Sequence, residues 1–203
     1  AAAGVELLHN FSLIHDDIED HSDLRRGRQT VWKIWGIPQA INTGDTMFVL
    51  AHQAILGLAN SVSDCVALEA MNCFTQACLA LTQGQYLDIS YENRPELSLN
   101  DYWPMVSGKT AALLSCCTEL GAISSVSAPN VVMCYRDFGR YLGLAFQALD
   151  DMLGIWGDAI TTGKSANSDL LTGKKSLPVL FAMGKKGDFA KRWIQGKIGR
   201  AHV

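Results

Sequence analysis

No basic stripe runs through this chain. Its 17 Lys and Arg residues stand against 20 Asp and Glu, a formal net charge of −3, so nucleic acid is disfavoured as a partner and any affinity for anions must come from locally placed cations. No apolar run reaches the roughly 20 residues of a membrane span. The longest, such as MFVLAHQAILGLA from Met47, are broken by His or Gln, and no transmembrane helix is expected. None of the six cysteines forms a C-x-x-C pair; Cys65, Cys73, Cys78, Cys116, Cys117 and Cys134 lie in apolar helical patterns, as reduced thiols do in a cytoplasmic setting. No stretch alternates like a strand, and no repeat or low-complexity tract suggests a solenoid. Residue 1 carries neither an initiator Met nor a signal pattern. The tail IGRAHV, Ile198 to Val203, resembles a translated sequencing adapter. The expectation is therefore one domain over residues 1–197, truncated at both ends, followed by an artefactual tail.

What is present reads as helix. The chain is 48 % hydrophobic and 18 % charged over 203 residues, enough for one soluble domain with a large core. Apolar residues recur at three- and four-residue spacing from Val5 to about Ile18, Pro38 to Leu58, Val62 to about Ser90, Leu99 to Leu120 and Val131 to Trp156. Breaks fall at the Arg-Gly-Arg-Gln stretch, Gly36-Ile37-Pro38, ENRPELSLN, SSVSAPN and the polar connection from Gly157 to Lys175. Ser98 and Asp101 have capping-box spacing, and Pro104 sits early in the helix that follows. An all-α protein is predicted, a single bundle of long, mostly antiparallel helices.

Two acidic clusters interrupt this apolar pattern. At about 100° per residue, Asp16 and Asp20 share a helix face with Asp17 beside them. Carboxylates so close repel one another; a divalent cation relieves the repulsion, and so does simple solvation at a helix end. The second cluster, FQALDDMLGIWGD, sets Asp150 and Asp151 in an apolar helix with Gln147 one turn earlier. Burying that pair is costly without a cation or a wet cavity. Helical bundles build metal sites from such facing side chains. Arg25, Arg26, Lys109, Lys164 and Lys174 follow as candidate phosphate ligands, although a single surface cation more often just faces solvent.

With these residues in place, the chain resembles the trans-type isoprenyl diphosphate synthases, or polyprenyl synthetases. Asp16-Asp17-Ile18-Glu19-Asp20 with Arg25-Arg26-Gly27 looks like that family's first aspartate-rich motif. TVWKIWG with Gly44-Asp45, Gly84-Gln85-Tyr86-Leu87-Asp88, Lys109-Thr110, Phe146 to Asp151, and the GK, SDL and GKKSLP elements from Gly163 to Pro178 follow in the family's order. The second motif departs from DDxxD: Gly154 stands where many members carry a third acid, which puts that metal contact in question, and Asp158 is a candidate substitute through water. The family's GGKR-like element is not in this sequence.

The resemblance implies the isoprenoid synthase fold around a central apolar cavity and a Mg²⁺-dependent head-to-tail condensation of an allylic diphosphate with isopentenyl diphosphate. It assigns Asp16, Asp17, Asp20, Asp150 and Asp151 to about three Mg²⁺ ions, with Mn²⁺ as a substitute. Together with Lys109 they form the catalytic set. Arg26 would anchor isopentenyl diphosphate; Arg25, Lys109 and Lys164, with Lys174 nearby, would bind the allylic diphosphate. Thr110, Gln85 and Gln147 would add neutral hydrogen bonds, and Asp88 belongs to the substrate-binding element. Phe11 is the expected floor of the product shaft, with Ser12 lining it. An aromatic residue there points to geranylgeranyl diphosphate first and farnesyl diphosphate second. A homodimer is implied.

Three rival readings stand beside this one. A non-catalytic subunit that modulates a partner synthase fits the departure at Gly154. A class I terpene cyclase shares a lone DDxxD but would need an NSE-type motif, which is absent. An HD-type metallohydrolase needs more ordered histidines than His9, His15, His21, His52 and His202 supply. Trp32, Trp35, Trp103 and Trp156 are read as packing residues, and Cys116-Cys117 as buried thiols.

Overall fold

The computed structural model describes residues 1–157, 168–196 and 198. Helices dominate: α1 (Ala2–Glu19), α2 (Val31–Trp35), α3 (Ile37–Leu56), α4 (Asp64–Glu92), α5 (Leu99–Val106), α6 (Ala112–Ser124), α7 (Pro129–Trp156), α8 (Ser168–Thr172), α9 (Leu177–Gly184) and α10 (Asp188–Ile194). A 3₁₀ turn, Gly57–Asn60, extends α3, and a π-helical turn, Ser107–Ala111, joins α5 to α6. The chain divides into two compact units. The first is Ala1–Cys78 with Leu113–Gly139, and the second is Leu79–Ala112 with the described residues from Arg140 onward.

In the first unit, α1 packs on α3, and two glycines set how closely. A Cβ on Gly4 would lie 2.7 Å from Ile55 Cδ1, and one on Gly44 would lie 2.2 Å from the His15 ring. Both positions need a residue without a side chain for the two helices to meet as they do. The core gathers Leu8, Ala51, Ile55, Ala70, Phe74, Cys116, Leu120 and Ile123. Burying a side chain the size of Leu8, Ile55 or Phe74 contributes about 1.5–3 kcal/mol each, well above the net value of the few polar links nearby. Those links still set register: Thr118 donates to the Tyr135 carbonyl at 2.6 Å and Ser115 to the Arg136 carbonyl at 2.9 Å.

In the second unit, backbones touch. A Cβ on Gly84 of α4 would fall 2.1 Å from the Lys109 nitrogen, and one on Gly143 of α7 would fall 2.5 Å from the Ala111 Cα. The π turn therefore lies directly against two helices at Gly84, Gly108, Ala111 and Gly143. Tyr102, Val106 and Leu180 form the buried centre, with Leu144 and Leu177 against them. At the start of α5, Asp101 accepts from the backbone nitrogen (3.0 Å) and the hydroxyl (2.6 Å) of Ser98, as the sequence spacing predicts.

Several local expectations are corrected. The Arg-Gly-Arg-Gln break is a hairpin: β1 (Leu24–Arg25) pairs antiparallel with β2 (Arg28–Gln29), turning through Arg26 (φ 51°) and Gly27 (φ 75°). Two-residue strands are too short to show alternation. The run from Leu99 is helical to Ser124 but passes through the π turn, whose wider i→i+5 bonding breaks the 3.6 period. Ser168–Thr172 is helical inside what reads as a polar connection. Trp35, Trp103 and Trp156 are exposed in this chain, and Cys117 is exposed while Cys116 is buried. Among the described residues α4 has the length and apolarity of a membrane span. Judging uninterrupted runs alone misses that window. Its buried residues Ala70, Phe74 and Cys78 belong to the first unit's core.

Candidate active site

The first acidic cluster forms at the end of α1, where an apolar helix with no basic residue in its last turn runs into Asp16, Asp17 and Asp20. The three side chains differ. Asp17 is 5 % exposed. Arg25 grips it, Nε and Nη2 each donating to Oδ1 at 2.9 Å. Asp16 is half-buried and Asp20, the C-cap, is exposed. A buried carboxylate paired to a guanidinium fork is stable only while both partners remain. The loop carrying Arg25 is itself pinned. The Ser22 carbonyl accepts from the Thr30 hydroxyl and from the Trp32 indole, both at 2.8 Å. Arg26 stands exposed at the hairpin turn.

Below this cluster, Phe11 packs on the first unit's core, its ring 4.9 Å from Phe48 and 4.7 Å from His15. Ser12 donates to the His9 carbonyl at 2.8 Å. His15, next to Asp16, rests in the space left by Gly44.

In the second unit most of the remaining candidates fall into an ion pair and a separate chain of hydrogen bonds. Lys109 pairs with Asp88. The Thr110 hydroxyl donates to Gln147 Oε1 at 2.7 Å, and Gln147 Nε2 donates to Asp151 Oδ1 at 3.0 Å. Asp151 Oδ2 accepts from the Tyr102 hydroxyl and from the Leu177 backbone nitrogen, both at 2.8 Å. Asp151 is 2 % exposed, whereas its neighbour Asp150 is half-buried. Burial, followed by the charges of Asp151 and Asp150, holds the Tyr102 hydroxyl above its ordinary pKa, so it stays a donor. Gln85 lies half-buried on α4. Lys174 is exposed, its backbone nitrogen donating to the Asp169 carbonyl at 2.9 Å. Lys164 and Asp158 lie outside the described residues.

Three residues escape the sequence reading. Tyr102 looks like any aromatic on an apolar helix face. Lys175 is masked by its neighbour Lys174. Asp169 sits in the SDL element without an assigned role, yet its carboxylate occupies the space beside Gly154, where a Cβ would meet Oδ2 at 2.4 Å. Asp169 is 8 % exposed, so an acid takes the room that a third motif side chain would fill.

Among the described residues no three His, Cys, Asp or Glu side chains form a metal cage by themselves. Around each acid pair the groups on offer are carboxylate oxygens. Hard oxygen donors in small number suit an ion that keeps waters or substrate phosphates as further ligands, the habit of Mg²⁺.

The comparison with known proteins is specific: the polyprenyl synthetase family model matches residues 1–202, and the chain belongs to that family. Geranylgeranyl diphosphate synthase of Mycobacterium tuberculosis is 43 % identical over 189 residues, covering 93 % of this chain and 53 % of that protein. The crystal structure of polyprenyl synthetase from Streptomyces coelicolor A3(2) superposes with a TM-score of 0.87 at 44 % identity, over 95 % of this chain and 56 % of that one. That of polyprenyl synthase from Caulobacter crescentus CB15, complexed with calcium and isoprenyl diphosphate, gives 0.85 at 34 % identity, over 100 % of this chain and 60 % of that one. The fold is therefore the all-α isoprenoid synthase fold. The chain spans little more than half the length of these relatives.

Proposed function

We propose that this chain carries the diphosphate-ionising machinery of a trans-prenyltransferase, which joins an allylic diphosphate to isopentenyl diphosphate. One observation carries the reading. In each acid pair the second aspartate, Asp17 or Asp151, is buried and satisfied by protein donors, while the first, Asp16 or Asp150, is half-buried. A pair meant only for solvation would have no reason to hold one member so firmly. Membership of the polyprenyl synthetase family and a relative crystallised with calcium and isoprenyl diphosphate support the same reading.

On this proposal Asp16, Asp20 and Asp150 hold Mg²⁺, which when bound neutralises the departing diphosphate. Asp17 and Asp151 hold their neighbours in place instead of serving as ligands in their own right. Lys109, oriented by Asp88, and the exposed Lys174 face diphosphate oxygens, with Thr110 and Gln147 as neutral partners. Arg25 is oriented by Asp17, and Arg26 receives isopentenyl diphosphate. The allylic C–O bond breaks with its electron pair leaving on the diphosphate. The double bond of isopentenyl diphosphate then forms the new C–C bond, and the cation this leaves gives up a proton to the released diphosphate. No protein nucleophile takes part. Phe11 closes the product shaft, geranylgeranyl diphosphate is the product, and the working protein is a homodimer outside any membrane.

The test is protection by inorganic pyrophosphate. Acetylation of Lys109 and Lys174 in this chain should slow in pyrophosphate with Mg²⁺ and not in pyrophosphate with EDTA. Equal rates in the two would remove the site. In the full-length protein, Phe11→Ala should lengthen the radiolabelled product; an unchanged chain length takes Phe11 out of the role of floor.

A further inference from the structure

The segment Gly173–Leu177, which lies in the GKKSLP element and carries Lys174 into α9, is fastened at two points just after Lys174. At the first, the Lys175 ammonium donates to the carbonyls of Tyr91 (2.7 Å), Glu92 (3.1 Å) and Arg94 (2.5 Å). These are the last carbonyls of α4 and the turn beyond it, where a helix leaves acceptors unsatisfied and its dipole favours a cation. At the second, the backbone nitrogen of Leu177 donates to Asp151 Oδ2, the same oxygen that receives the Tyr102 hydroxyl. Between the two clamps Ser176 is 1 % exposed, while Lys174 is exposed. Gly173 adopts φ 75°, the left-handed turn that starts the segment.

We propose that Tyr102 and Lys175 are positioning residues which act as the two clamps of this strap and so fix where Lys174 presents its charge. Neither touches the diphosphate. Tyr102 supplies a donor that keeps the buried Asp151 carboxylate turned toward the Leu177 nitrogen, and Lys175 ties the strap to the end of α4. A long lysine side chain loses much rotamer freedom on binding an anion. A rigid base under Lys174 lowers that cost, because the backbone it springs from is already fixed. The role rests on Lys174 as a diphosphate ligand, as proposed above, but the strap itself can be tested without it.

The experiment uses this chain with Tyr102→Phe and Lys175→Met as separate variants. Hydrogen exchange by mass spectrometry follows the peptide over 173–180, with peptides from 1–78 as an internal control. Loss of the one Tyr102 hydrogen bond is expected to speed exchange in the strap about fivefold, and loss of the three Lys175 contacts by at least as much, with the control peptides unchanged. The concentration of inorganic pyrophosphate with Mg²⁺ that half-protects Lys174 from acetylation should rise by a similar factor of about five, a shift that a residue serving only stability would not produce. Unchanged strap exchange in both variants overturns the proposal, as does a rise spread evenly over the chain, or an unmoved pyrophosphate requirement alongside a loosened strap. If the unsubstituted chain shows no Mg²⁺-dependent protection at all, the functional reading fails instead, and the exchange arm alone decides whether the clamps exist.

Discussion

Replacing Gly84 by alanine should injure the second unit far more than the loss or gain of a methyl group suggests. The new Cβ would sit 2.1 Å from the Lys109 nitrogen, 2.5 Å from the Gly108 carbonyl carbon and 2.8 Å from the Gly108 Cα. All three are backbone atoms, so no side-chain rotation relieves the clash. Ordinary contact begins at 3.4 Å, which leaves α4 and the π turn about 1.3 Å too close. Overpacking of this kind costs about 1–3 kcal/mol when neighbours are side chains, and more when two backbones must part. Against it stands the gain of about 0.5–1 kcal/mol that alanine brings to a helix interior. A net loss of about 2–3 kcal/mol follows. Gly121 on α6 is the control, because nothing lies within 4 Å of its would-be Cβ; there the same substitution should stabilise by about 0.5 kcal/mol. Urea unfolding of the two variants reads the opposite signs. Since Asp88 and Lys109 ride on the two elements forced apart, Lys109 should also be acetylated faster in Gly84→Ala. A Gly84→Ala protein as stable as Gly121→Ala would refute the claim that bare backbone contact sets this part of the site.

Two further outcomes follow from the same geometry. Restoring the family's third acid with Gly154→Asp should destabilise the chain by about 2–4 kcal/mol in urea unfolding, because overpacking adds to the repulsion of a second carboxylate near the buried Asp169; a stable Gly154→Asp protein in the absence of Mg²⁺ would show that the room beside Gly154 is open. Burial pushes the Cys78 thiol up to about 12 from its ordinary 9.0. A pKa raised on folding means full stability below pH 9 and progressive loss from pH 9 toward 12, at up to about 1.4 kcal/mol per pH unit for each such group. The buried Cys116 shifts in the same direction, so Cys78→Ala should make the alkaline fall of the unfolding free energy shallower without abolishing it. A slope unchanged by Cys78→Ala would contradict the burial argument.

Periodicity and composition alone determined a great deal. The 3.6-residue apolar rhythm identified the five long helical runs, since burial of one face is a local property of the sequence. The capping box at Ser98 was legible because its two partners lie three residues apart. Order and spacing of the acid pairs, GQxxD and Lys-Thr pointed to the polyprenyl synthetase family, to which the chain belongs. Tertiary structure decided how members of each pair divide their work. Asp16 and Asp17 look alike in sequence, as do Asp150 and Asp151, yet Asp17 is buried against Arg25, and Asp151 is buried against Tyr102 and Leu177, donors 49 and 26 residues away from it. Such donors arrive through folding, and a pattern read along one strand of sequence does not contain them. The same holds for the glycines: Gly84 and Gly121 are equivalent letters until a second helix lies against one of them and solvent against the other. Local chemistry thus sets which helices form and which residues are acidic, whereas the burial and hydrogen bonding that assign each acid its task come only from elements brought together across the chain.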